Sequence, residues 1–160
     1  MPYKLLFVCL GNICRSPSAE NITNYLIEKR NWGDRVICDS AGTSDYHIGR
    51  PPDPRMAIAA KEILDIDLLG KARQFDPADF EKFDLILAMD RENYDDILSL
   101  DRPGKYLDKV RLMCSFCRRY DIKDVPDPYY GGPQGFNRVI DILTDACEGL
   151  LDELEQEQKV

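Results

Sequence analysis

The sequence predicts an α/β fold: a four-stranded parallel sheet with helices on both faces, three layers in all. Three observations carry that prediction. Short apolar runs alternate along the chain with stretches of helical periodicity. The first run, Leu5 to Val8, is continuously apolar, as in a strand buried on both faces. A length of 160 residues, 44% hydrophobic and 31% charged, fits one domain over 1–160 with a real core.

Leu5 to Val8 is therefore the first strand. A helix is expected from Pro17 to about Arg30, with Ala19, Ile22 and Leu26 at helical spacing and proline in the first turn. Val36 to Cys38 reads as the second strand, and the small residues Asp39 to Thr43 as a loop. Residues 44–53 read as surface loop, broken by Gly49, Pro51 and Pro52. Asp53-Pro54 is a cap and first residue for a helix to about Leu64, and Asp76-Pro77 starts a short turn over 77–82. Leu85 to Met89 is a third buried strand, and Asp90 caps a helix that buries Tyr94, Ile97 and Leu98. Lys109 to Met113 alternates, as in a strand nearer the edge. After a Pro- and Gly-rich loop at 124–135, apolar positions from Phe136 to Leu154 form one helical stripe, with a frayed tail expected from Glu155 to Val160.

A net charge of −8 without a basic stripe argues against a nucleic-acid partner. It leaves anionic substrates open, since the field in a cleft can oppose the global sign. No apolar run approaches the roughly 20 residues of a membrane span, so no membrane partner is expected. No signal-peptide pattern opens the chain, and a cytoplasmic location is expected. The six cysteines do not read as a secreted disulfide framework. With one Cys-x-x-Cys pair (Cys114 and Cys117) and one distant histidine, His47, no metal site is expected.

Parallel α/β sheets bind ligands beyond the carboxyl ends of their strands. The loop after the first strand holds Cys9, Leu10, Gly11, Asn12, Ile13, Cys14, Arg15 and Ser16, and a helix follows. Loop and first-turn amides there favour an anion. Gly11 admits close backbone approach, and Asn12 tolerates left-handed geometry. Arg15 offers a planar fork to two oxygens of a phosphate-like group. A helix N-terminus and a nearby cation favour a cysteine thiolate, and Ser16 can donate to the sulfur, so Cys9 is the nucleophile candidate. The loop lacks the lysine and second glycine of nucleotide-binding loops. Asp127 sits in Pro-Asp-Pro, which by itself is also a common turn. Tyr46, Tyr129 and Tyr130 by themselves read as surface tyrosines, His47 as a rim residue, and Asp53 and Asp90 as helix caps without a catalytic part.

Cys-x5-Arg-Ser is the signature of cysteine-dependent phosphatases, and Cys-Leu-Gly-Asn-Ile-Cys-Arg-Ser-Pro from residue 9 resembles the low-molecular-weight protein tyrosine phosphatases. The resemblance continues through Ser40-Ala41-Gly42-Thr43, Ala72-Arg73-Gln74, Met89-Asp90 and Asp127-Pro-Tyr-Tyr-Gly131. It implies a flavodoxin-like topology and hydrolysis of phosphotyrosine through a phosphocysteine on Cys9, without a cofactor. It also implies that Asp127 is the general acid and later the base, that Tyr46, Tyr129 and Tyr130 stand at the mouth, and that Ser40 braces Asn12. The expected partners are phosphotyrosine proteins or small aryl phosphates, with phosphate-like oxyanions as inhibitors. Cys14 either fills space or resembles the family's second thiol, which can pair reversibly with the nucleophile.

Two other substrates suit the same cradle. A thiol-cascade arsenate reductase needs two further cysteines in mid-chain, and none lies between Cys38 and Cys114. Phosphoarginine phosphatases resemble this chain but carry threonine where Ile13 stands; a bulky Ile13 favours a flat ring. A non-catalytic binding module would be expected to have lost Cys9, Arg15 or Asp127.

Overall fold

The computed structural model describes residues 1–160. Its sheet contains β1 (Tyr3–Cys9), β2 (Val36–Gly42), β3 (Leu85–Ala88) and β4 (Val110–Leu112). All pairings are parallel, in the order β2-β1-β3-β4. The helices are α1 (Arg15–Lys29), α2 (Pro54–Leu64), α3 (Asp79–Lys82), α4 (Arg91–Ser99) and α5 (Pro133–Gln156). Short 3-10 turns at Leu107–Lys109 and Met113–Phe116 flank β4.

The central strands bury both faces, so successive residues feed different cores. Leu5, Phe7, Leu85 and Leu87 point into the larger core, with Ile22 and Leu26 of α1, Met56 of α2 and the stripe of α5. Leu6, Val8, Ile86 and Ala88 point the other way, onto Phe75, Phe80, Phe83 and Ile97. This is the expected three-layer architecture.

The largest departures from the expected boundaries are these. β2 runs on through Asp39–Gly42, which pair in register with Leu6–Cys9. The small residues there make room: a Cβ on Gly42 would lie 2.8 Å from the Leu10 carbonyl oxygen. α1 begins at Arg15, two residues before Pro17, and the proline's missing N–H still falls among the first-turn donors that have no helical partner. α5 begins at Pro133 and shortens the preceding loop. The tail is not frayed: the Lys159 N–H donates to the Leu154 carbonyl (2.9 Å), and Val160 packs against the larger core. No helix is long and apolar enough to cross a membrane.

Candidate active site

β1 delivers Cys9 to the carboxyl edge of the sheet, and the chain turns through residues 10–14 into α1. The turn depends on Asn12, whose φ of 57° lies in the left-handed region. That conformation aims the Asn12 N–H at the Cys9 sulfur (3.3 Å). The Ser16 hydroxyl lies 3.1 Å from the same sulfur.

Behind the loop a hydrogen-bond chain fixes this geometry. The Asn12 amide donates to Ser16 Oγ (2.8 Å) and Ser40 Oγ (2.9 Å), and its Oδ1 accepts from the Arg73 N–H (3.0 Å). Ser40 Oγ donates to Glu20 Oε1 at 2.6 Å. Burial pushes the Glu20 carboxyl up to about 7, against the hydrogen bond from Ser40. The outer side of the loop is tied down as well. Its Cys9, Leu10 and Ile13 carbonyls accept from the backbone N–H groups of Thr43, Ser44 and Asp53.

Arg15, buried at 2% exposure, lies under the cradle. Its NH1 donates to Asp90 Oδ2 (2.6 Å) and the Val125 carbonyl (3.0 Å), and its NH2 lies 3.5 Å from Asp127 Oδ2. Burial alone would weaken the charge; Cys9, Asp90 and Asp127 outweigh it and raise the Arg15 pKa above its ordinary value. Asp127 is partly exposed, and its Oδ1 accepts from the Tyr129 N–H (3.1 Å), the local turn expected of Asp-Pro.

Cys9, Leu10, Gly11, Ile13, Cys14 and Arg15 form the floor of one cleft of about 120 Å³. Tyr46, His47, Asp127, Tyr129 and Tyr130 wall it. The rings of Tyr129 and Tyr130 meet edge to face at 4.9 Å, and His47 lies 5.9 Å from Tyr129. His47 is thus a wall residue at the rim, as expected. Two expected substrate-binding residues do not line the cleft. The Asn12 and Ser16 side chains turn inward and are buried, because Ser40 and the Cys9 sulfur supply their partners. Cys14 faces the cleft with its pKa raised, by burial first and then by Asp53, Cys9 and Asp127, so its thiol is neutral. All six cysteines are free.

Asp90 does more than the sequence reading allowed. One carboxylate oxygen caps α4 through the Asn93 N–H (2.8 Å), and the other orients Arg15. The available signal was its position: it closes the strand next to β1, at the same edge of the sheet. Glu20 carries no sequence signal, and Arg73 enters only within the Ala72-Arg73-Gln74 stretch of the resemblance without a role, since their link to the site runs through Ser40 and Asn12.

The family model for low molecular weight phosphotyrosine protein phosphatases matches residues 4–160. A Synechocystis sequence named as a low molecular weight protein-tyrosine-phosphatase is 54% identical, over 96% of this chain and 98% of that one. The low molecular weight phosphotyrosine protein phosphatase of Sus scrofa is 38% identical over 94% of both chains. A crystal structure of an Entamoeba histolytica protein tyrosine phosphatase with Hepes in its active site superposes at a TM-score of 0.92. That protein is 47% identical, over 98% of this chain and 99% of its own.

Proposed function

The chain belongs to the low molecular weight phosphotyrosine protein phosphatase family, a family of hydrolases, and from that premise we propose which residues carry the reaction. Cys9, as the thiolate, attacks phosphorus in line with the ester oxygen. An S–P bond forms, the P–O bond to the tyrosine breaks, and Asp127 donates its proton to the departing phenolate oxygen. Water then attacks the phosphocysteine, Asp127 takes the water's proton, and the sulfur leaves as thiolate with phosphate released.

Arg15 spreads its charge over the equatorial oxygens in both steps. Asp90 and Val125 occupy NH1, which leaves NH2 and Nε for the phosphoryl group. Such a transition state asks mainly for positioning and charge stabilisation, and the Asn12 N–H aimed at the Cys9 sulfur adds to both. The observation that carries this assignment is the 3.5 Å approach of Asp127 to Arg15, which puts an acid over the cradle that holds Cys9.

Phosphotyrosine proteins or small aryl phosphates are the proposed substrates, because the tyrosine-walled cleft suits a flat ring. Phosphate and related oxyanions are the proposed inhibitors. The Hepes in the Entamoeba histolytica active site supports that, since its sulfonate is a tetrahedral oxyanion group. Residues 1–160 are read as one catalytic domain, because both cores share the one sheet. Catalysis through a free thiolate suits a reducing compartment, which supports a cytoplasmic location.

Turnover of phosphotyrosine, phosphoserine and phosphoarginine peptides, measured side by side with and without EDTA, tests the reading. Phosphotyrosine is expected to be hydrolysed fastest, with no loss on chelation. Faster release from phosphoarginine, or thiol-dependent arsenate reduction exceeding aryl phosphate hydrolysis, would overturn the substrate assignment.

A further inference from the structure

A second cavity, of about 280 Å³, opens between α2 and the first turns of α5. Ile58 and Ala59 form one side, Asn137 the other, and Phe136 the floor. Ile58 is 58% exposed, an apolar side chain left without cover.

The groove neighbours the catalytic cleft, its lining residue Gly131 following directly on Tyr130 of the cleft wall. Arg55 stands between them, its guanidinium 5.2 Å from the Tyr129 ring and 4.7 Å from the Phe136 ring. Those two contacts keep the wall of the cleft and the floor of the groove within about 10 Å of each other, which an extended peptide covers in about three residues. Arg55 Nε and NH2 fork onto Asp53, so the guanidinium is held in place and NH1 is left for a peptide carbonyl. Glu62 on the same rim disfavours an acidic side chain.

We propose that this groove binds an apolar side chain two to four residues from the phosphotyrosine, and so selects among protein substrates. The proposal rests on the phosphatase reading above and deepens it: the cleft takes the phosphorylated ring, and the groove reads its neighbourhood. A small aryl phosphate cannot reach the groove, so catalysis and selection are separable.

The test is a set of phosphotyrosine peptides, otherwise alanine and serine, with one leucine moved from four residues before the phosphotyrosine to four after it. kcat/KM is expected to rise by about tenfold when the leucine reaches the groove. Ile58→Asp and, from the opposite wall, Asn137→Trp are expected to erase that rise. Hydrolysis of p-nitrophenyl phosphate and of the leucine-free peptide stays within twofold, which also reports that the variants fold. A flat leucine scan, or an undiminished leucine effect in both variants, would overturn the proposal. Loss of p-nitrophenyl phosphate hydrolysis in the unaltered protein would instead overturn the phosphatase reading.

Discussion

At the scale of single residues, the proposed roles separate groups that react from groups that hold them. Cys9→Ser is expected to abolish turnover of p-nitrophenyl phosphate while phosphate binding persists, as calorimetry would show. Asp127→Asn keeps the local turn but has no proton to give. Its kcat on phosphotyrosine is expected to fall roughly 10²–10³-fold, and by less on p-nitrophenyl phosphate, whose leaving group needs little protonation. Asp90→Asn retains an α4 cap but loosens the 2.6 Å ion pair that aims Arg15. kcat/KM is expected to drop about tenfold, a loss of the size typical of one charge-assisted hydrogen bond. That Cys9, Arg15 and Asp127 would meet in one cleft was legible in the sequence, the first two from the compact Cys-x5-Arg loop and Asp127 only through the family resemblance. Asp90 was legible only as a cap, because its second partner, Arg15, starts α1 some 75 residues earlier and such pairing is invisible in a local window.

At the scale of elements, the strands and helices followed from periodicity, while their ends followed from contacts that periodicity does not encode. β2 continues through Asp39–Gly42 because β1 beside it supplies hydrogen-bond partners, although small and polar residues suggest a loop. The reach of α5 was legible from its apolar stripe, whereas its tight seat was not. At Gly149 a Cβ would stand 2.0 Å from the Phe116 carbonyl oxygen, which no side-chain adjustment relieves. Gly149→Ala is therefore expected to push α5 off the Met113–Phe116 turn and to cost about 1–3 kcal/mol in urea unfolding, despite alanine's better helix propensity.

At the scale of the whole molecule, Glu20 ties stability to pH. Its carboxyl titrates at about 7 when folded, against 4.5 ordinarily, with Asp39 pushing it up and Arg73 opposing. Between those values the folded state binds the proton that the unfolded chain has lost, so the Glu20 contribution to stability falls as pH rises from 4.5 to 7. Urea midpoints are expected to decline over that window in the parent protein, and less steeply in Glu20→Gln. An identical slope in both would show that another group sets it. The overall α/β class was legible because alternating apolar runs dictate it; this coupling was not, because it arises from burial. The position of α5 has a further consequence, for the order of events during synthesis. The Cys9 loop leaves the ribosome before α5, and the larger core stays open until that helix has emerged to cover it. Parallel strands pair late for the same topological reason, since each partner must await a crossover. A nascent chain ending before residue 133 thus carries Cys9 and Asp127 without the helix that covers the larger core, and phosphatase turnover is expected only once α5 has emerged.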